Sequence, residues 1–269
     1  MDALLEVSDL SFAYNDRPAL RNISLNLSPG EVVALIGPNG SGKSTLLLSL
    51  FGHLRATGKI AWQSRDLSRW RRRDLAKLVA YLPQAPRHEP AQTVRQVLEL
   101  GRSPYWGPFG LENSNDEKVT TDVAQLLGLT DLLDRPMENM SGGQRQRVFI
   151  GRCLTQEPQA LLLDEPNTFL DLKYQVDLCR LLKDLAKQQN LAVLMASHEL
   201  NIASAFADRM ILLNDGAIAA TGTPQEVLQP DLLTTIYGLP IQRVESPTGH
   251  PIVVPAFSPS PNVPTTSHD

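Results

Sequence analysis

A short glycine-rich segment has the residue types and the spacing that phosphate chemistry needs. Residues 37–44 read Gly-Pro-Asn-Gly-Ser-Gly-Lys-Ser, in which a glycine and four further residues precede Gly-Lys-Ser. Glycines let the backbone bend so that successive amide N–H groups point at phosphate oxygens. Lys43 then supplies a charge for the β- and γ-phosphates, and the Ser44 hydroxyl serves as a Mg²⁺ ligand. The segment predicts a site for a nucleoside triphosphate.

The flanking residues supply the strand–loop–helix context that this motif requires. Residues 32–36 form an apolar, β-branched run, and residues 45–48 read Thr-Leu-Leu-Leu. The first run predicts a strand and the second predicts a helix, whose positive end adds to the phosphate site. A glycine-rich turn without a ligand is the alternative, and the correct flanks make it the weaker interpretation.

Two carboxylates follow a second apolar run. Residues 161–163 are all leucine, and Asp164 and Glu165 come directly after them. Because parallel strands end at the same edge of a sheet, we expect this pair beside the phosphate loop. Asp164 then suits Mg²⁺, usually through water, and Glu165 suits polarising the attacking water. Taken alone, the pair is equally consistent with an ordinary strand-end turn and a solvated Glu165.

A second anion-binding pattern lies at residues 141–144, which read Ser-Gly-Gly-Gln. Ser141 is a favourable N-cap for the helix-like run at residues 145–152, and the glycines expose backbone N–H groups. This segment is on the wrong part of the chain to serve the nucleotide that Lys43 holds. A second copy of the chain that caps the γ-phosphate accounts for the pattern, and a plain capped helix is the alternative.

The elements that must position these residues follow an α/β order. Continuous apolar runs separated by helical patterns predict a parallel sheet covered on both faces; they lie at residues 32–36, 160–163, 192–196 and 210–213. Half-buried or short strands are predicted at residues 4–10, 23–27, 59–62 and 79–83. Residues 93–155 are mostly helical in pattern. The sequence therefore predicts a nucleotide-binding α/β core that is split by a helical insertion.

Composition and charge narrow the possible classes of protein. The 269 residues are 42% hydrophobic and carry a net charge of −4, which suits a large core and gives no overall basic surface for nucleic acid. Cys153 and Cys179 lack metal spacing, so we expect buried thiols in a reducing compartment. The N-terminus lacks a signal pattern, and no apolar run approaches the ~18 residues of a membrane span. We expect a cytosolic chain that reaches a membrane only through a partner.

Taken together, the motifs resemble those of the ATP-binding subunit of an ABC transporter. The resemblance rests on the phosphate loop, residues 141–144, the Asp164–Glu165 pair and Ser197-His198, and it covers nearly all of residues 4–225. It implies a P-loop NTPase (RecA-like) α/β core with an antiparallel β subdomain and an inserted α-helical subdomain at about residues 90–155. The expected divisions are an ABC ATPase domain at 1–225, a C-terminal extension packed on the core at 226–255 and a disordered tail at 256–269.

The resemblance also implies a site assembled from two copies of the chain. The residues implied to bind ATP in one copy are Tyr14, Gly37, Pro38, Asn39, Gly40, Ser41, Gly42, Lys43, Ser44 and Thr45. The residues implied to cap it from a head-to-tail second copy are Ser141, Gly142, Gly143 and Gln144. The implied Mg²⁺ ligands are Ser44, Gln84 and Asp164, and the implied catalytic residues are Glu165, His198, Lys43 and Gln84. Tyr14 is expected to stack on adenine, although it also suits a strand-face aromatic.

The family implies partners and a class of cargo. ATPase subunits of such transporters drive a membrane permease from the cytoplasmic face of the inner or plasma membrane, and importers also use an extracytoplasmic solute-binding protein. Residues 101–110 and 165–172 are similar to those of importers of ferric siderophores, haem and cobalamin, although Phe169 stands where a small residue is common. The aromatic side chains of Tyr105, Trp106 and Phe109 suit either a packed surface loop or anchors for the permease.

Other functions are open to the sequence but fit it less well. A soluble ABC ATPase of repair, translation or cluster assembly is disfavoured by the single cassette without a coiled-coil insertion. A small-molecule kinase with a P-loop leaves residues 141–144 unexplained. The basic segment Arg-Trp-Arg-Arg-Arg at residues 69–73 is interpreted as a solvated helix face, with nucleic acid and anionic lipid as alternatives.

Overall fold

The structure is a computed structural model that describes residues 3–87, 89–107, 114–167 and 170–256. The predictions for Phe109, for Phe169 and for the tail beyond residue 256 fall outside these described residues. The described strands are β1 (Leu5–Tyr14), β2 (Arg17–Leu27), β3 (Val32–Ile36), β4 (Thr57–Trp62), β5 (Arg65–Asp66), β6 (Val79–Leu82), β7 (Ala160–Asp164), β8 (Ala192–Ala196), β9 (Arg209–Asn214), β10 (Ala217–Gly222), β11 (Ile241–Glu245) and β12 (Pro251–Pro255). The described helices are α1 (Lys43–Leu50), α2 (Arg72–Leu78), α3 (Val94–Glu99), α4 (Ser114–Leu126), α5 (Gly142–Leu154), α6 (Leu172–Gln189), α7 (Leu200–Phe206), α8 (Pro224–Val227) and α9 (Pro230–Tyr237).

A six-stranded sheet with the order β10-β9-β3-β8-β7-β6 forms the core. Neighbouring strands from β9 to β6 pair in parallel, and β10 pairs antiparallel with β9 at the edge. Every residue of β3, β7 and β8 is buried, and side chains from the two faces of the sheet enter separate apolar clusters. The predicted parallel sheet is therefore confirmed. The edge strand β10 was not predicted, because its sequence, Ala-Ile-Ala-Ala-Thr-Gly, forms no strong apolar run.

A second, antiparallel sheet has the order β2-β1-β4-β5. Its first hairpin extends well beyond the strands predicted at residues 4–10 and 23–27. The reason is a set of register shifts in the β1–β2 ladder, with Asp9 and Asn22 at φ values of 52° and 50°. Bulges of this kind interrupt the two-residue alternation from which a strand is predicted. The additional hairpin length places Tyr14 at the end of β1.

The helical insertion is held together around a buried arginine. Arg102 is only 2% exposed, its Nε donates to Asp116 Oδ1 at 2.9 Å, and its Nη1 donates to the Thr155 carbonyl at 2.7 Å. Its guanidinium also lies 3.9 Å from the ring centroid of Tyr105. Because Thr155 is the C-cap of α5, these contacts join α4, α5 and the segment around Tyr105.

The arginines at residues 69–73 are exposed, as predicted, but the segment does not form a single helix face, so that part of the interpretation was wrong. Arg69 ends a 3-10 turn, Trp70 and Arg71 are extended, and only the last two residues belong to the first turn of α2. Arg73 points at the segment after α3, where its Nε donates to the Pro104 carbonyl at 2.7 Å and its Nη2 donates to the Trp106 carbonyl. Charge spacing alone does not reveal this break because arginine is acceptable in all three conformations.

Replacing Gly101 by alanine is expected to lower the free energy of unfolding by about 3 kcal/mol, since an added methyl overpacks a rigid contact. A Cβ at this position would lie 2.1 Å from both the Arg152 carbonyl oxygen and the Thr155 hydroxyl. Urea denaturation of Gly101→Ala measures the loss. Gly107→Ala is the matched control because its Cβ would have no neighbour within 4 Å among the described residues. Equal stability of the two variants would contradict this packing argument.

The residues after β10 pack against strands β3 and β9 of the core sheet. Val227, Leu228, Leu233 and Val253 enter one apolar cluster with buried residues of β3 and β9. Strands β11 and β12 form a separate antiparallel hairpin. This hairpin was not predicted, because polar residues and prolines dilute its apolar positions. The domain boundaries at residues 225 and 255 stay predictions.

Both cysteines are buried free thiols, as the sequence predicted. Burial raises the pKa of Cys153 and of Cys179 to about 11. The thiolate is therefore scarce at neutral pH, which makes these side chains inert packing groups. Among the described helices, none is both long enough and apolar enough to cross a membrane.

Candidate functional site

The phosphate loop lies between the end of β3 and the start of α1, as predicted. Two of its glycines are required by close contacts with other backbone segments. A Cβ at Gly37 would lie 2.2 Å from the Leu213 carbonyl oxygen, and one at Gly42 would lie 2.6 Å from the Ala19 carbonyl oxygen. Both residues also have positive φ values, 145° and 105°, which side chains disfavour. The loop is therefore held in its curved shape by the strands around it.

Lys43 lies inside the curve of this loop with only 5% of its surface exposed. Its Nζ donates to the carbonyls of Gly37 and Pro38 at 2.8 and 3.1 Å. Burial lowers the pKa of Lys43, and the nearby carboxylates of Glu165 and Asp164 act in the opposite direction. The ammonium group is thus poorly solvated, which strengthens its attraction to an anion in the loop.

Asp164 and Ser44 meet at the carboxyl edge of the sheet, as the topology predicted. The Ser44 hydroxyl donates to Asp164 Oδ1 at 3.0 Å, and the Tyr81 hydroxyl lies 3.5 Å from Oδ2. Burial raises the pKa of Asp164, and the bond from Ser44 opposes that shift. A hydroxyl and a carboxylate are hard oxygen donors of the kind that Mg²⁺ prefers, so the residues present fit this ion.

Glu165 is contacted by two of the other predicted catalytic residues. Gln84 Nε2 donates to its Oε2 at 2.7 Å, and His198 Nε2 contacts its Oε1. The backbone of Glu165 has a φ of 52°, a left-handed conformation that is uncommon for glutamate and that sets the direction of the side chain. The structure therefore brings Gln84, Glu165 and His198 together next to the Ser44–Asp164 pair. The hydrogen bond that the structure shows for the Gln84 side chain is this one to Glu165.

The Ser-Gly-Gly-Gln segment forms the N-terminal cap of α5. Gln144 N donates to the Ser141 hydroxyl at 3.2 Å, and Ser141 N donates to Gln144 Oε1 at 2.9 Å, which completes a capping box. Ser141 and Gly142 are exposed, so the first N–H groups of a 13-residue helix face outward. Tyr14 is also accessible, at 48% exposure, and its ring meets Phe12 edge-on. The roles predicted for these residues stay predictions.

Two residues near the site were missed from the sequence. Tyr81 reaches Asp164 from the neighbouring strand β6, and the buried Gln146 on α5 donates from Nε2 to the Pro166 carbonyl at 2.7 Å. The second contact joins the helix capped by Ser141 to the segment directly after Glu165. Tyr81 lies in an apolar strand and Gln146 lies between two arginines, and neither pattern identifies the contact that the residue makes.

This fold and this cluster define a P-loop nucleotide-binding ATPase. The sequence profile described as "ABC transporter" matches residues 20–168. The chain belongs to the ABC transporter family, in which it is an ATP-binding subunit. The fold predicted from the resemblance, a P-loop core with an antiparallel subdomain and a helical insertion, is confirmed.

Individual relatives agree with this assignment over almost the whole chain. The iron(3+)-hydroxamate import ATP-binding protein FhuC of Bacillus subtilis (strain 168) is 36% identical over 92% of this chain and 93% of its own. The hemin import ATP-binding protein HmuV of Rhodococcus jostii (strain RHA1) is 39% identical over 93% of this chain and 86% of its own. A metal-chelate type ABC transporter in an inward-facing conformation superposes with a TM-score of 0.83 at 31% identity, covering 95% of this chain and 98% of its own.

Proposed function

We propose that this chain is the ATP-hydrolysing subunit of an importer for metal chelates of the ferric siderophore, haem or cobalamin type. The observation that carries the hydrolytic part is the contact of Glu165 with both Gln84 and His198, next to the Ser44–Asp164 pair. The cargo class is supported by the relatives, which are named for import of iron hydroxamate and hemin. It is also supported by the resemblance of the sequence at residues 101–110 to such importers.

ATP is bound, in this proposal, mainly through its phosphates. The backbone N–H groups of residues 39–45 surround the phosphate oxygens, and Lys43 adds a poorly solvated positive charge. Tyr14 stacks on adenine, for which its exposed ring is available. Because the loop is fixed by contacts with β2 and β9, little reorganisation is needed on binding.

The residues that would hold Mg²⁺ are Ser44, Asp164 and Gln84. When bound, the ion neutralises charge on the β- and γ-phosphate oxygens. The Ser44 hydroxyl and the Asp164 carboxylate already face each other, so they offer oxygen donors from two different elements at one point. Tyr81 holds the second oxygen of Asp164 and so limits rotation of the carboxylate.

Glu165 acts as the general base in this proposal. Its carboxylate takes the proton of the water that attacks the γ-phosphate, and His198 and Lys43 stabilise the charge that develops on the phosphate oxygens. The contacts from Gln84 and His198 fix the position of the carboxylate, because one group holds each of its oxygens. A carboxylate held in one orientation can take a proton only from a water molecule that approaches the γ-phosphate from one direction.

Two copies of the chain are needed for a complete site. Residues 141–144 cap an exposed helix end that belongs to the inserted subdomain, and this end suits the γ-phosphate held by the partner copy. ATP therefore favours the closed dimer, and hydrolysis releases it. A permease in the membrane converts closing and opening into transport, and an extracytoplasmic solute-binding protein delivers the cargo. The chain then lies peripherally at the cytoplasmic face of the membrane.

Uptake by cells tests this proposed function. Cells that lack the gene are expected to lose uptake of at least one of three probes: a radiolabelled ferric hydroxamate, labelled haemin or labelled cyanocobalamin. Wild-type protein restores it, and the Glu165→Gln variant does not. In parallel, the tagged chain should co-purify with a polytopic protein from detergent-solubilised membranes. Unchanged uptake of all three probes, or co-purification only with ribosomes or DNA, would favour a soluble ABC ATPase instead.

A further inference from the structure

A contact outside the phosphate site joins the C-terminal hairpin to the helix that follows His198. Asn201 lies in the first turn of α7, three positions after His198. Its Nδ2 donates to the Val253 carbonyl at 3.1 Å, and its Oδ1 accepts from the Val253 N–H at 2.8 Å. One side-chain amide thus satisfies both backbone groups of a residue in β12, as a neighbouring strand would do.

The rest of the contact fixes α7 along the same strand. The Ser204 hydroxyl, which is 1% exposed, donates to the Pro251 carbonyl at 2.7 Å. The side chain of Val253 is 8% exposed and lies in one apolar cluster with Ala203. Hydrogen bonds one turn apart, with a buried side chain between them, resist both sliding and rotation of a short helix against the hairpin.

His198 depends on α7 for its position. The turn between β8 and α7 contains only residues 197–199, where the Glu199 N–H donates to the Ser197 hydroxyl at 3.0 Å. Ser197 is fixed by β8, and its N–H donates to the Leu35 carbonyl at 3.0 Å. His198 lies between these two fixed residues, so a displacement of α7 changes the position of its backbone. Its side chain is 41% exposed, and the contact that holds it is the one with Glu165.

We propose that Asn201 is a positioning residue for His198, and that the β11–β12 hairpin sets the rate of ATP hydrolysis through this contact. The inference rests on the catalytic role proposed for His198. Separation of the hairpin from α7 then lowers the rate of ATP hydrolysis. It does not weaken the binding of ATP, because the residues proposed to bind ATP, the phosphate loop and Tyr14, do not include the hairpin. In this proposal the residues after 225 regulate the rate of ATP hydrolysis.

The test combines kinetics with a direct measurement on His198. Asn201→Ala is expected to lower kcat by about tenfold, as small displacements of catalytic groups do, with KM for ATP changed less than about twofold. In the nucleotide-free protein, the imidazole NMR resonance of His198 should shift; His198→Ala assigns this resonance among the five histidines. Asn201→Asp keeps the acceptor for the Val253 N–H and loses the donor, so it should show an intermediate effect.

Asn26→Ala is the matched control, because Asn26 is an exposed strand residue on the other sheet. It should leave both kcat and the resonance unchanged. An unmoved His198 resonance in Asn201→Ala would overturn the positioning role. A shifted resonance with an unchanged kcat would overturn the control of turnover through His198, without touching the import function. If Asn201→Ala does not fold, Asn201→Asp is subject to the same criteria.

Discussion

Glu165→Gln is expected to lower the rate constant for ATP hydrolysis by about 1,000-fold and to leave ATP binding close to the wild-type value. The amide has the size of the carboxylate and can still accept the hydrogen bond from Gln84 Nε2, which lies 2.7 Å from Glu165 Oε2. It cannot accept a proton from water. Binding through Lys43 and the phosphate loop is unaffected, so the loss falls on the chemical step.

Two measurements separate these effects. Single-turnover phosphate release reports hydrolysis, and equilibrium titration with a fluorescent ATP analogue reports binding. Size-exclusion chromatography with MgATP should show the variant as a stable dimer, since the step that opens it is blocked. Glu6→Gln on the exposed side of β1 is the control for loss of a carboxylate. Normal turnover by Glu165→Gln would remove Glu165 from its proposed role.

Lys43→Ala is expected to lower kcat/KM for ATP by about 100-fold or more, because a preorganised charge next to the transferred phosphoryl group is removed. The Lys43 ammonium is buried in the phosphate loop, where its pKa is lowered. A water molecule that enters the vacated space carries no net charge. The β- and γ-phosphates thus lose a partner whose attraction was little weakened by solvent.

Nucleotide titration and steady-state turnover measure this loss. Lys187→Ala, an exposed substitution near the end of α6, is the matched control for the net charge. Lys43→Arg adds a sharper comparison, because it keeps the charge but needs more room than the buried site offers. Full activity of Lys43→Ala would contradict the assignment of residues 37–44 as the phosphate loop.

The sequence predicted the core sheet well because its strands are buried on both faces. Strands β3 and β8 are continuous apolar runs, and β7 is apolar up to Asp164; such runs are recognisable without knowledge of their neighbours. The β1–β2 hairpin was predicted only in part, since its bulges at Asp9 and Asn22 destroy the alternation. The β11–β12 hairpin was missed because polar residues and prolines dilute its apolar positions.

The candidate site was likewise predicted from the sequence only in part. Lys43, Ser44 and the Asp164–Glu165 pair follow from local spacing and from the rule that parallel strands end at one edge. The place of Tyr81 next to Asp164 depends on which strand lies beside β7, and a single sequence does not give the strand order. Residues 69–73 were misinterpreted for a related reason, since Arg73 is positioned by its contacts with Pro104 and Trp106.

We expect ATP to be hydrolysed only where Lys43 of one copy meets Ser141 of another. Mixing two inactive variants, Lys43→Ala and Ser141→Arg, is a direct test of this expectation. In a head-to-tail dimer of one copy of each variant, one site carries both substitutions and the other site carries neither. About half of the dimers in an equimolar mixture are of this kind, so the mixture should recover about a quarter of wild-type ATPase activity when the sites act independently. If hydrolysis takes place within a single chain, the mixture will stay at the average of the two inactive variants, and that result would rule out a site shared by two copies.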